Sequence, residues 1–459
     1  MSMHFTFREE NYVIIENGSW RLKARIGVRE RDTNTPEAPT VVSTIKPSSL
    51  LIFPVCVSLP EPRFSKRRGF NTALLLLFYL PCEVGQKVTQ NDEKKEIVEG
   101  AVDTQQPEQT SPREDTALAT PEPASEKKYA KEQKYYCGSQ LKEMKDCLVI
   151  SRPIERGSVK NWEELEALWR QILLKEFSIK RARNECPVIT LVPSYWTKEQ
   201  HERIAQIFFE SFNIPGLYIA DQALMSLYGC NSMNGLVIDI GHGTTDITPI
   251  IDSAVQYNAI QTLLLGGQDL DEYLCTLLSS DPQFLQEYGE PINVDFAREI
   301  KEMDICELID EDDDLDERPE RVEVEYNEKK FSVGPVRFHV ADPLFNPSLV
   351  GKREIMSLPD AIHLAITSCE ADRKQLLFEN IVLTGGISLI KENTGEFQTR
   401  ESKFLKIPEF FAAYKDRPDL AGFLGAAIVA KLVFPEPKNF ITKIDYNENG
   451  PSVVHVKSY

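Results

Sequence analysis

Two strand–turn–strand units of the same chemistry, about 220 residues apart, constrain the fold of this chain more than any other feature. The first runs from Ile15 to Ser19 and the second from Ile238 to Thr245. Each places a carboxylate at the end of an apolar strand and glycine in the turn. Successive amides in such a turn point into one concavity that binds phosphate oxygens, and the carboxylate can hold the water shell of Mg²⁺. One such turn is weak support, but the pair, with a later Gly385-Gly386, predicts a nucleotide clamp.

Composition narrows the class of protein. The 459 residues suffice for one large two-lobed core or about three ordinary domains. The net charge of −19 argues against direct DNA binding, because a sequence-independent grip on DNA needs Lys and Arg at the phosphates. The nine cysteines form no C-x-x-C pair, which predicts free thiols and no metal site. The apolar run Ala73 to Leu80 is shorter than the ~20 residues that span a bilayer, so we expect no membrane partner.

Order along the chain is uneven. Residues 91–134 are charged and rich in Pro and Gln, a composition that favours disorder. Residues 43–82 are apolar but unpatterned, and we interpret them as an unstructured insertion or translated intron sequence. The acidic run within 307–325 indicates a solvated loop rather than a partner-binding patch. Regular periodicity returns near Tyr136, with an amphipathic helix predicted over Trp162 to Leu173.

Several later segments resemble the actin family. The resemblance covers residues 12–30 and about 136–459 of the chain. The segments that carry it are Pro153 to Trp162, Phe209 to Pro215, Ala220 to Tyr228, Gly266 to Leu274, Leu344 to Ser348, Asn380 to Gly386 and the ending Tyr446 to His455.

This resemblance implies the two-lobed α/β fold of the actin/Hsp70/hexokinase superfamily, with four subdomains. On that basis 1–30 would be the first hairpin of subdomain 1, and 31–135 a degenerate insertion replacing much of subdomain 2. Subdomain 1 would continue over 136–229 and end with 422–459. Subdomain 3 would begin at 230–265 and resume at 355–421, while 266–354 would form subdomain 4 around an acidic insertion at 307–325.

The resemblance also implies where ATP would lie. Gln222 matches the glutamine that orients the attacking water, although a role as a fold-keeping hydrogen-bonding residue is as well supported. Residues carried over as nucleotide contacts are Gly18, Ser19 and Lys23 of the first hairpin, Asp239, Gly241, Gly243 and Thr244 of the second, Asp295, Arg298 and Lys301 beside the adenine, and Gly385 and Gly386 behind it.

Four departures from the family pattern argue against an enzyme. Trp20 stands where the first turn has glycine, so close approach of the backbone to phosphate is lost. Glu16 replaces an aspartate, and His242 replaces the aspartate that positions water and metal. Asp246 stands in place of a histidine. These changes predict weak or absent Mg²⁺-ATP binding, no hydrolysis and no required cofactor.

The same departures indicate which relative this is. The region 31–135 replaces the outer loop that makes filament contacts in actin, and the stretch Lys391 to Lys403 is short. Both features resemble nuclear, fungal-type subunits of SWI/SNF- or RSC-like chromatin remodellers, which regulate transcription. The expected partners are a helix of the motor subunit and another actin-related protein, with Tyr228, Val429 and Leu432 around the receiving groove. The alternative is a cytoskeletal or dynactin-type relative that binds ATP and joins filaments.

Overall fold

A computed structural model describes residues 11–26, 78–81, 83–87, 135–138, 148–303, 305–308, 319–392, 403–412 and 414–457. The strands of this part of the chain are β1 Val13–Glu16, β2 Arg21–Ile26, β3 Phe78–Pro81, β4 Val84–Lys87, β5 Leu148–Ser151, β6 Ile154–Glu155, β7 Ser158–Val159, β8 Val188–Val192, β9 Gly216–Asp221, β10 Gly235–Ile240, β11 Thr245–Ile251, β12 Ala254–Val255, β13 Gln261–Leu263, β14 Glu307–Leu308, β15 Val322–Tyr326, β16 Lys329–Val333, β17 Ile381–Thr384, β18 Lys391–Glu392 and β19 Ile441–Thr442.

The α-helices of the same residues are α1 Trp162–Arg170, α2 Lys198–Gln206, α3 Gln222–Gly229, α4 Gly267–Ser279, α5 Pro282–Tyr288, α6 Val294–Glu302, α7 Asp342–Phe345, α8 Leu358–Thr367, α9 Lys374–Phe378, α10 Ala421–Val433, α11 Lys443–Asn449 and α12 Val454–Lys457. Wider π-helical turns continue α1 over Gln171–Glu176 and α2 over Ile207–Ser211. Side chains fix the helix starts: Asn161 caps α1, and Thr197 with Gln200 forms a capping box at α2.

The first lobe is built on a six-stranded sheet with the order β19-β9-β8-β1-β2-β3. Strand β1 lies at its centre, antiparallel to β2 and parallel to β8, with Glu16 opposite Lys23. All residues of β1 and β8 are buried, as expected of strands covered on both faces. The turn between β1 and β2 therefore projects from the carboxyl end of a central strand.

The second lobe repeats this arrangement. Strand β10 lies antiparallel to β11 and parallel to β17, in a sheet with the order β12-β11-β10-β17 and β13 added to β11. Asp239 pairs with Asp246 across the hairpin, as Glu16 pairs with Lys23 in the first lobe. The repeat of two strand–turn–strand units that the sequence predicts is thus a repeat in structure, and the chain has the two-lobed α/β fold.

Helices α3 and α10 join the lobes. They pack side by side, with Ala223 and Leu227 of α3 and Leu424 of α10 in one buried cluster with Val237 of β10. The helices approach so closely that a Cβ on Gly425 would lie 1.8 Å from the Met225 carbonyl oxygen. Since any side chain would push the helices apart, glycine is required there.

Two strands lie inside the region predicted to lack order. Strand β3 pairs with β2 and completes the first sheet, and β4 pairs with β5. The expectation of a degenerate 31–135 is therefore wrong for 78–81 and 84–87, because ladder hydrogen bonds to neighbouring strands order a segment without periodicity of its own. Strand β15 likewise shows that the C-terminal end of the acidic insertion at 307–325, predicted to be a solvated loop, forms a strand.

The remaining predictions for those regions, including 27–77, 88–134, 309–318 and 393–402, lie outside the described residues. Cysteines in the described part of the chain are free thiols: Cys137, Cys186, Cys230, Cys275, Cys306 and Cys369. Over the same described ranges, no helix is both long and apolar enough to cross a membrane.

Candidate nucleotide cleft

The two glycine turns face each other between the lobes. In the first turn, the Ser19 hydroxyl accepts a hydrogen bond from the Gly157 amide at 3.4 Å, and Gly18 precedes it. In the second turn, the Gly241 amide donates to the Thr244 carbonyl at 2.9 Å, which closes the turn. Cβ of a residue replacing Gly243 would lie 3.1 Å from the Ser19 hydroxyl oxygen, so the turns are in contact distance of one another.

The Trp20 side chain occupies the space between these turns. Its ring centroid lies 5.0 Å from that of His242 on the second turn. The Arg298 guanidinium carbon lies 4.0 Å from the Trp20 ring centroid, and that of Arg152 lies 5.0 Å away. A cation over an indole face is attracted by the ring quadrupole. Trp20 therefore connects the first turn to helix α6 across the cleft, where the sequence resemblance places phosphates.

Arg298 and Lys301, the cations predicted beside the adenine, form ion pairs with one buried carboxylate. Arg298 donates through Nε to Asp271 at 2.8 Å, and the Lys301 ammonium also contacts Asp271. Asp271 is fully buried, and Lys301 additionally donates to the Gly267 carbonyl at 2.9 Å. Asp295 pairs with Arg298 at 2.8 Å, but its side chain is 70% exposed. Asp295, Arg298 and Lys301 follow one another at i, i+3 and i+6 on helix α6. Arg298 and Lys301 are nevertheless held in an internal ion-pair cluster with Asp271.

The carboxylates of the cleft are held by residues of the chain. Lys23 donates to Glu16 at 2.8 Å and to the Asp419 carbonyl at 2.6 Å. The Gln222 amide donates to Asp239 at 2.8 Å, so its predicted water-orienting group is engaged with a carboxylate. Burial, with Glu16 adding repulsion, raises the pKa of Asp239 to about 6.

The groups at the second turn have unusual protonation. Burial and the cations Lys301, Arg298, Arg152 and Arg156 lower the pKa of His242 to about 2, so its ring is neutral. Its Nε2 atom is buried and has no hydrogen-bond partner among the described residues. Burial also raises the pKa of Asp246 to about 7, although the Thr244 hydroxyl donates to it at 3.0 Å.

The wall behind the second turn is formed by the predicted glycine pair. Gly385 has φ +90°, and a Cβ there would lie 2.4 Å from the Ile240 carbonyl oxygen and 2.5 Å from Oδ1 of Asp239. Gly386 meets nothing within 4 Å. Only the first of the two glycines is therefore demanded by the fold, and the second faces open space.

Ion pairs that sequence reasoning missed close the cleft. Arg156 donates to both oxygens of Asp269, at 2.5 and 2.9 Å, and to the Gly243 carbonyl at 3.1 Å. Burial alone would raise the pKa of Asp269, but hydrogen bonds from Arg156 and Lys352 outweigh it and lower the pKa. Nearer the opening, Arg21 meets Glu302 at 2.6 Å. The signal in the sequence for the Arg156–Asp269 pair was the alternation of acids after Gly266-Gly267, inside a segment that resembles the actin family.

A Mg²⁺-ATP complex does not fit this arrangement. The cavity at the two glycine turns, which we also call the phosphate turns, has a volume of about 190 Å³. It is lined by Ser19, Arg152, Ile154, Glu155, Arg156, His242, Gly243 and Gln268. Small-molecule sites usually measure about 300–1,000 Å³, and Trp20 stands in the space that a nucleotide would need. Among the described residues, no three His, Cys, Asp or Glu side chains are grouped to hold a metal ion.

The three residues predicted to line the partner groove differ in how far they are buried. Leu432 of α10 is 69% exposed, whereas Val429 is 8% exposed and lies in a core cluster with Tyr12 and Phe423. Tyr228 is partly buried against the same cluster. The prediction that Val429 contacts a partner is therefore corrected, because its side chain faces the interior of the first lobe.

Comparison with known proteins agrees with this fold. The sequence model of the Actin family matches residues 79–459. Actin-related protein 7 of Arabidopsis thaliana is 30% identical over 322 residues, which cover 67% of this chain and 85% of that protein. The match includes strand β3, where the resemblance noted in the sequence had a gap. Because the Actin family model matches most of a chain with this two-lobed fold, this chain is a member of the actin family.

Proposed function

We propose that this chain is a non-polymerising actin-related protein that serves as a structural subunit of a nuclear, ATP-dependent chromatin-remodelling complex of the SWI/SNF or RSC type. The observation that carries the proposal is the Trp20 ring between the phosphate turns, 5.0 Å from His242 and 4.0 Å from Arg298. A chain that fills its own nucleotide site has no use for the ATP cycle that drives polymerisation. Actin-related protein 7 of Arabidopsis thaliana, to which this chain is similar, is by its name an actin-related protein as well.

The chemistry of the cleft supports a scaffold rather than an ATPase. Hydrolysis needs a water activated beside the γ-phosphate and a metal that bridges the phosphates. Here the Gln222 amide is bound to Asp239, and a neutral His242 stands where the family resemblance places an acid. We therefore infer that any ATP bound to this protein is bound weakly and is not hydrolysed.

The partner in this proposal is an amphipathic helix of the motor subunit. Leu432 projects from α10 with 69% of its surface exposed, and Tyr228 lies partly exposed on α3. An apolar helix face that docks through i, i+3, i+4 and i+7 residues would cover such side chains. The net charge of −19 supports a role in which another subunit makes the DNA contact.

Affinity purification of the full chain from nuclear extract tests the partner. We expect the wild-type protein to co-purify with a remodeller motor, and Leu432→Asp to lose it while keeping its circular dichroism spectrum. Leu364→Asp is the matched control, since Leu364 is an exposed apolar residue on α8 of the second lobe. Retention of the motor by Leu432→Asp would refute the groove assignment.

Measurement of nucleotide binding tests the inference that ATP is bound weakly and is not hydrolysed. Titration calorimetry with Mg²⁺-ATP should show dissociation constants far weaker than micromolar for the wild-type chain. Submicromolar binding, single-turnover phosphate release or ATP-dependent sedimentation as filaments would instead favour the cytoskeletal alternative.

A further inference from the structure

A cavity on the first lobe lies outside the nucleotide cleft. It has a volume of about 680 Å³ and opens where the 3₁₀ turn Arg181–Arg183, the π-helical end of α2 and helix α11 meet. Its walls combine charged and apolar groups. Its lining includes Arg181, Ala182, Phe209, Asn213, Lys443 and Tyr446.

Two cations, Arg181 and Lys443, line this cavity, and Lys180 and Arg183 lie beside Arg181 on the same 3₁₀ turn. Lys180, Arg181 and Arg183 are exposed, and Lys443 lines the opening. In the described part of the chain, none of the four forms an ion pair with a carboxylate. Arg181 donates to the Glu210 carbonyl at 2.8 Å, and Lys443 donates to the Asn213 side chain. We call Lys180, Arg181, Arg183 and Lys443 with their cavity the basic pocket.

The one carboxylate inside the basic pocket is already engaged. Glu210 accepts a hydrogen bond from the Tyr446 hydroxyl at 2.8 Å, and the Gln206 amide lies 3.5 Å from its other oxygen. Burial, with a smaller contribution from the neighbouring Arg181, lowers the pKa of Lys443. Against this one carboxylate the turn Lys180 to Arg183 and Lys443 bring four cations, in a chain whose net charge is −19.

We propose that the basic pocket binds an acidic segment of a partner protein, with carboxylates at the four cations and one apolar side chain in the cavity. The cavity offers apolar surface for that side chain at Ala182 and beside the stacked rings of Phe209 and Tyr446, whose centroids lie 4.6 Å apart. A nucleic acid fits less well, because its phosphates form a continuous track of negative charge, whereas the cations here gather around one cavity that has an apolar wall. Four cations around a concave cavity match the shorter, anchored segment.

Fluorescence anisotropy with the full-length protein tests this proposal. The probe is a labelled peptide of alternating Asp and Glu with one central Phe. Lys180→Glu combined with Arg183→Glu reverses two exposed charges without touching the core and should weaken binding about tenfold. Lys330→Glu combined with Arg353→Glu, two exposed cations of the second lobe, is the matched control and should leave the affinity unchanged.

A second experiment tests whether the cavity receives the apolar side chain of the peptide. Replacing the central Phe of the peptide by Gly, or Ala182 by Trp in the protein, should also weaken binding and leave its salt dependence unchanged. Failure of the acidic peptide to bind, equal affinity of the Lys180/Arg183 variant, or preference for a single-stranded oligonucleotide would each overturn the proposal. None of these residues lies in the cleft, so the result is independent of the proposed function.

Discussion

Removing the Trp20 ring should loosen the cleft in the absence of nucleotide. In the wild-type chain this ring contacts His242 and Arg298, so it joins the turn of the first lobe to the turn and helix α6 of the second. Trp20→Ala would leave a void between the phosphate turns. The pairs Arg156–Asp269 and Arg21–Glu302 would then hold the lobes with less support.

The magnitude follows from competing contributions. A buried Trp→Ala change costs about 3–5 kcal/mol, and Trp20 is only partly buried. The indole N–H is buried without an acceptor, so its removal relieves a penalty of about 1 kcal/mol. Loss of the stacked guanidinium costs about 0.5–2 kcal/mol. We expect a net loss of about 2 kcal/mol in the free energy of unfolding of the nucleotide-free protein.

Thermal unfolding with and without Mg²⁺-ATP measures this effect. Ligand at 100 times its dissociation constant stabilises a protein by about 2.7 kcal/mol, so weak binding leaves the wild-type transition unmoved. Trp162→Ala is the matched control, because Trp162 packs edge-on to Trp196 within the first lobe. An unchanged unfolding transition for Trp20→Ala, or strong stabilisation of the wild-type chain by ATP, would refute the reasoning.

Other predictions address the second turn and helix α10. Gly385→Ala should destabilise the fold by about 1–3 kcal/mol, because φ is +90° and the Cβ has no room, whereas Gly386→Ala should be neutral in denaturant unfolding. Since the native pKa of Asp246 is raised from 3.8 to about 7, the folded state binds more protons and stability falls as pH rises between those values, by at most about 1.4 kcal/mol per pH unit. Asp246→Asn should flatten that slope in unfolding measured from pH 4 to 8, and an unchanged slope would contradict the assignment. Val429→Asp should unfold the first lobe while Leu432→Asp remains folded by circular dichroism, since Val429 is core and Leu432 is exposed.

The fold was predictable because its signals are local and repeated. Two apolar strands end in the carboxylates Glu16 and Asp239, and each is soon followed by glycine. This pattern predicted two equivalent hairpins, and the structure contains both. Strand β3 was missed because residues 78–81 carry no alternation of apolar and polar side chains. It exists through pairing with β2, a contact between distant parts of the chain that no periodicity encodes.

The cleft was only partly predictable. Sequence placed Trp20 and His242 on the two turns, but their mutual contact depends on the approach of the lobes. Arg298 and Lys301 were assigned to a nucleotide by the family resemblance, and their spacing puts them on one helix face. Spacing cannot reveal that Asp271, on a different helix, lies between them. The same limit applies to Val429, whose i, i+3 relation to Leu432 does not distinguish core from surface.

Asp271 explains why restoring the turns alone should restore nucleotide binding only in part. Arg298 and Lys301 are nearly buried, and two such cations without a counter-charge would be costly. The fully buried Asp271 supplies that charge, so an incoming phosphate must compete with it. Trp20→Gly with His242→Asp should therefore strengthen Mg²⁺-ATP binding over the wild-type chain by removing bulk. Adding Asp271→Ser should strengthen it further, because the two cations then lack an internal anion.

The triple variant should also depend on ATP for stability. Breaking a buried pair by removing one partner typically costs about 3–5 kcal/mol, and bound phosphate would offset that loss. Calorimetry should rank affinity as wild type, then double, then triple variant, and unfolding should show ATP stabilising the triple variant most. Equal affinity of the double and triple variants would mean that Asp271 does not compete with phosphate, and that the Trp20 ring alone keeps nucleotide out of the cleft.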